Sequence, residues 1–228
     1  MRKGDLAWAG ALAAVLAVFV LPATAPTVLG LTASHAYLMG FAKFAILATM
    51  GELLALRMAK GSWERPAGLW AKALAWGVVG VLVVLMFSLF SAGVQGAGAK
   101  GLLPLGSGRL GSLLAAFWTS ALMNLTFGPV FMAAHRISDA WIEARFAPAA
   151  EGEGEKEPPR PSLGGAVASV DWPRFFNFVV GRTIPLFWIP AHTLTFLLPP
   201  EYRVLVAAIL SIALGAILTW GRRASRLK

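Results

Sequence analysis

The stretch AGLWAKALAWGVVGVLVVLMFSLFSA, residues 67–92, carries a single charged side chain, Lys72. Crossing a hydrocarbon core of roughly 30 Å takes about 20 helical residues, and a backbone in lipid satisfies its amides and carbonyls only within a helix or a closed barrel. The run is continuously apolar and does not alternate in period two, so it predicts a transmembrane α-helix and not a barrel strand. Working outward, five further stretches read the same way, near 6–23, 36–58, 110–134, 173–198 and 203–221. The expected fold is all-α and membrane-integral, a bundle of about six transmembrane helices.

Composition agrees, with 57% hydrophobic residues and only 14% charged, against roughly 25% charged in soluble domains. The chain has no cysteine, which rules out disulfides and thiolate metal sites. Its net charge of +9 does not point to nucleic acid, because the basic residues flank the apolar runs and form no folded basic domain. The lipid bilayer is the partner this pattern implies.

The same residues set an orientation. With the N-terminus cytoplasmic, that side holds Arg2, Lys3, Arg57, Lys60, Arg65, Arg136, Arg145, Lys156, Arg160, Arg174, Arg222, Arg223, Arg226 and Lys228, and the other side only Lys100, Arg109 and Arg203. Fourteen against three places both termini inside. The lack of an Arg- and Ser-rich transit segment favours a bacterial cytoplasmic membrane over an organelle. Arg2 and Lys3 before an apolar run, with Ala23-Thr24-Ala25 after it, also fit a signal peptide, but the long run is read as a retained span. Four regions result: an extra N-terminal helix (1–30), helices two to four (31–145), a flexible acidic cytoplasmic loop (146–171) and a C-terminal helix pair with a basic tail (172–228). The loop holds Glu151 to Pro161, whose acids, glycines and prolines cannot build a core, and Asp171-Trp172-Pro173 after it reads as a helix start.

Several short motifs recur in a recognisable order. Ile189-Pro190-Ala191 is followed by Phe196, then Pro199-Pro200-Glu201-Tyr202-Arg203, then Trp220; upstream stand Gly51-Glu52 and Met123-Asn124 with Pro129. This order, over residues 36–221, resembles the Mpv-seventeen and peroxisomal membrane protein family, most specifically at Pro199-x-x-Tyr202-Arg203. Gly51, Pro129, Phe196, Pro199, Tyr202 and Arg203 match the family motifs. Ile189, Thr195, Met123-Asn124 and Leu56 stand where the family carries Trp, Asn, Asp-Gln and Gln. The resemblance implies a small helical membrane protein of pore-like or channel-like kind.

The residues themselves suggest a polar interior. Lys43, Glu52, Asn124, Asn177, Arg182 and His192 lie inside otherwise apolar spans, where a central charge costs on the order of 2.5–3.5 kcal/mol and faces a bundle interior or a watery cavity. Depth arithmetic puts Glu52 and Arg182 at one level with Asn124 near it, and Lys43 and His192 at another. A Glu52–Arg182 pair is therefore expected, either lining a path or clamping spans two, four and five. Pro185 and Pro190 interrupt span five and mark it as the kinked helix. A polar path lined by Lys43, Asn124, Arg182 and His192 would favour anions.

Ala207, Ser211 and Gly215 repeat every fourth residue on span six, a close-packing stripe that serves contacts within one chain or a homo-oligomer. No enzyme is expected. His35, His135 and His192 belong to different segments and suggest no metal site, no phosphate-binding glycine loop is present, and no cofactor is implied. Two functions remain: a pore or transporter for a small solute or ion, and a non-transporting scaffold that binds partners around a structural polar clamp.

Overall fold

The structure is a computed structural model that describes residues 3–147 and 161–226, with side chains as far as Ile217 and at Thr219. Every element among these residues is helical: α1 (Lys3–Ala17), α2 (Ala25–Ser34), α3 (Ala36–Lys60), α4 (Leu69–Ala99), α5 (Gly108–Phe146), α6 (Leu163–Ala168), α7 (Trp172–Arg174), a π-helix (Phe175–Trp188), α8 (Ile189–Phe196) and α9 (Pro200–Arg226). Four of them are long and apolar enough to cross a membrane: α3, α4, α5 and the Pro200–Ile217 part of α9.

The two remaining stretches differ from the expectation. Residues 6–23 do not form one continuous helix: α1 stops at Ala17 after 15 residues, about 22 Å of helix. Turns then lead into α2, with Pro22 inside the break and Pro26 in the first turn of α2. Proline lacks an amide donor and is tolerated in a first turn, and Pro26 occupies that place in α2. Residues 172–196 are helical throughout but change winding twice, from α to π and back. The acidic run at 151–160 lies outside the described residues. The rest of the expected flexible loop is partly ordered, because Ser162 accepts the Gly165 amide at 3.0 Å and starts α6. Trp141 and Trp172 donate to Pro161 O (3.2 Å) and Val167 O (3.0 Å), tying both ends of that segment down.

The chain forms two compact units. Unit 1 comprises residues 1–65, 76–87 and 198–228, and in it α3 packs along α9 while α1 and α2 lie on α3. Its closest crossing is at glycine: a Cβ on Gly80 would overlap Gly40 O and stand 2.7 Å from Gly40 C and 2.8 Å from Phe44 Cβ. Gly51 meets α9 similarly, with Ile212 Cα at 3.0 Å from where its Cβ would be. Small residues at such crossings let helix backbones approach when lipid offers no hydrophobic drive for association. Gly61, at φ +80°, ends α3 in a left-handed cap and returns its N–H to Arg57 O.

Unit 2 comprises residues 66–75 and 88–197, with α5 packed against α6, the π-helix and α8. At 39 residues, α5 is about 58 Å long, well beyond a hydrocarbon core. Its apolar part is 110–134, and the charges Arg136, Asp139, Glu143 and Arg145 all follow that part. Asp171 caps the next turn, accepting the Arg174 amide at 3.0 Å.

Candidate functional site

The buried polar group of unit 2 is built where α5 meets α8. Ser120 and Asn124 are one turn apart on α5, so they share a face. Ser120 Oγ donates to Ile189 O at 2.8 Å, which fastens α5 to the start of α8. Asn124 Nδ2 donates to Ser120 O at 2.8 Å and lies 3.1 Å from His192 Nδ1. With Nδ1 unprotonated, that contact is an amide donating to the imidazole. The Trp188 ring stacks on His192 at 5.0 Å. Ser120, Asn124 and His192 are all buried. The arrangement holds one imidazole between an amide and an indole, in a fixed orientation.

The π-helix leads into this junction. Its ladder is visible in side chains as well as backbone: Thr183 Oγ1 donates five residues back to Phe178 O at 3.2 Å, and Ile189 N–H reaches Ile184 O. Asn177 and Arg182, five apart and so stacked on one face of a π-helix, are both exposed. Neither side chain makes a hydrogen bond or an ion pair among the described residues. Of the expected trio of Glu52, Asn124 and Arg182, the last two belong to unit 2 and the first to unit 1. Asn124 is in the unit 2 interior, Arg182 stands on an exposed face, and Glu52 belongs to unit 1, where it accepts Trp76 Nε1–H at 3.3 Å.

Lys43 and His192 are also in different units. Lys43 is 4% exposed; its Nζ donates to Thr32 Oγ1 at 2.9 Å and sits 5.4 Å from the Phe19 ring centroid. No carboxylate lies within ion-pair distance of it among the described residues. Its partners are therefore a hydroxyl and an aromatic face, both of which accept a cation without neutralising it.

Three arrangements were not anticipated from the sequence. Asp5 accepts from Arg57 Nε (3.0 Å) and Nη2 (3.3 Å) and from Trp63 Nε1 (2.9 Å), anchoring α1 to the end of α3. Lys72, 3% exposed, donates to Glu143 Oε1 at 2.9 Å. His135 Nε2 lies 3.6 Å from Asp139 Oδ2, a titratable neighbour one helical turn on. Burial raises the Asp139 carboxyl to about 6; desolvation and the Glu143 charge outweigh the attraction of Lys72 and Arg136. The spacing 135, 139, 143 was the available signal, since residues four apart share a helix face.

Among the described residues no three His, Asp or Glu side chains gather as metal ligands would. The motif residues take structural places: Pro129 is inside α5, Phe196 is buried at the end of α8, and Gly51 sits at the α3–α9 contact. Pro199 precedes α9, half-buried Tyr202 returns its amide to Pro199 O, and Arg203 Nε caps Leu198 O at 2.9 Å. Compared with protein families, with curated proteins and with solved structures, the chain finds no match.

Proposed function

We propose that this is a multi-pass protein of the bacterial cytoplasmic membrane, with six membrane segments and both termini inside, that passes a small solute or ion in the channel-like manner suggested by its motif order. The observation that carries the reading is the segment 172–196. It leaves α-helical winding for fourteen residues while presenting Asn177 and Arg182 outward. Irregular helix at bilayer depth is tolerated where protein or water covers it, and π-wound stretches cluster at functional sites. An arginine on such a segment is costly against lipid and is accommodated beside water or an anion. Purified protein in liposomes is expected to conduct small anions. Arg182→Gln should lower that flux roughly tenfold, the change that about 1.4 kcal/mol of added barrier produces. Liposomes showing no protein-dependent flux of either small anions or small cations would refute transport.

A second reading, a partner-binding scaffold, is favoured by the buried hydrogen bonds that join Ser120 and Asn124 of α5 to Ile189 and His192 of α8, since such bonds fasten helices together as a clamp requires. Absence of flux with intact folding would select it.

The proposed orientation has its own test, made clean by the lack of native cysteine. Gly154→Cys should be inaccessible to a membrane-impermeant thiol reagent from outside intact cells, and Lys100→Cys, exposed in the α4–α5 turn, should react. The reverse pattern would invert the topology.

A further inference from the structure

Every fourth residue along one stripe of α5 reads Phe127, Phe131, His135, Asp139, Glu143. Phe127 stacks on Phe131 at 5.4 Å and Phe131 on His135 at 6.4 Å, nearly parallel at 8°. An aromatic stripe in the apolar part of the helix therefore becomes a titratable stripe where the charged part begins. His135 and Asp139 are largely buried, with side-chain exposures of 17% and 16%, and Asp139 Oδ1 has no hydrogen-bond partner although it is shut off from solvent. From α4, Lys72 brings a buried ammonium to Glu143.

Charge bookkeeping then becomes restrictive. Among the described residues Lys72 pairs with Glu143. Within the His135–Asp139 pair itself, an ionised Asp139 beside a protonated His135 is neutral, and so is a protonated Asp139 beside a neutral His135. Both neutral states hold one proton between the two residues, whereas two or none would leave the pair charged in a largely buried place. Among the described residues, Arg136 stands exposed beside the stripe; α6 contributes no titratable group, and His192 of α8 lies at Asn124, about three turns from His135 along α5.

We propose that His135 and Asp139 form a proton-binding site that shares one exchangeable proton, taken from water on the basic side of the membrane and held as N–H on His135 or O–H on Asp139, beside the Lys72–Glu143 pair. Buried Asp and His groups in membrane proteins serve as proton relays, so the site adds a candidate coupling or gating ion to the transport reading. It does not depend on that reading, since a scaffold could bind the proton equally well.

Infrared difference spectroscopy of the full-length protein in lipid tests it without any assay of flux. A protonated-carboxyl band should titrate near pH 6, well above the exposed carboxylates, and vanish in Asp139→Asn. In His135→Gln, which keeps a polar side chain but holds no proton, the band should titrate roughly one pH unit higher, because the ionised carboxylate has lost its cationic partner. Should Asp139→Asn not fold, Asp139→Glu must still show a displaced band. Absence of any carboxylic acid band above pH 5, or a midpoint unmoved by His135→Gln, would overturn the shared-proton site whether or not the protein transports.

Discussion

Gly80→Ala is expected to lower the stability of the folded protein by about 3 kcal/mol, a large effect for one methyl group. Its Cβ would coincide with the Gly40 carbonyl and press on Phe44 Cβ at 2.8 Å. The obstacle is mainly backbone, so no rotamer change relieves it, and α3 and α4 must separate along the contact. Gly40→Ala should behave alike, since its Cβ would stand 2.5 Å from Val84 Cγ2 and 2.9 Å from Gly80 O. Gly93 lies on the same helix with open space where its Cβ would be, so Gly93→Ala should change stability by no more than about 0.5 kcal/mol. Unfolding midpoints in mixed micelles with increasing SDS would compare the three. Indistinguishable midpoints for positions 80 and 93 would mean that the α3 and α4 backbones are not in contact.

The second large effect concerns Lys43 and has opposite signs for its two halves. Thr32→Val removes the hydroxyl that accepts from Nζ at 2.9 Å and leaves a buried ammonium with only the Phe19 face, a loss of about 1.5–3 kcal/mol for a hydrogen bond to a charged group. Lys43→Met keeps much of the side-chain volume and removes the charge, and should be neutral or stabilising by about 1–4 kcal/mol, as when buried ionic groups are replaced by apolar ones. If Lys43→Met is instead the more destabilising of the two, the lysine is a structural necessity. If it is stable but loses flux, the charge is kept for function.

The four long helices could be read directly, because an apolar run of span length has few alternatives in water or lipid. Their contacts could not. Depth arithmetic puts Glu52 and Arg182 at one level, but depth says nothing about direction around a helix or about local partners: within unit 1 Glu52 meets Trp76, and within unit 2 Arg182 is exposed. Asn124 and His192 do meet, although they had been assigned to separate polar levels. The break after Ala17 was signalled by Pro22 and Pro26, yet the run's total hydrophobicity hid it. The winding of residues 175–188 had no sequence signal, since neither Pro185 nor the apolar pattern distinguishes a π-helix from a kinked α-helix. The Lys72–Glu143 and His135–Asp139 pairs were missed for another reason. Residues 136–146 follow the apolar run as a charged stretch, and charges at such a helix end need no specific partner when water or headgroups surround them.

The pairing of α3 with α9 also bears on how the protein is made. These helices belong to the same unit, yet almost the whole of unit 2 is encoded between them. During synthesis the glycine face of α3 emerges early and waits for α9, on the order of ten seconds later at ordinary elongation rates. Unit 2 can close on itself in that interval, whereas unit 1 cannot be completed until α9 has been made. A nascent chain stalled before Pro200 would therefore present an open α3 groove to whatever chaperone or insertase is nearby.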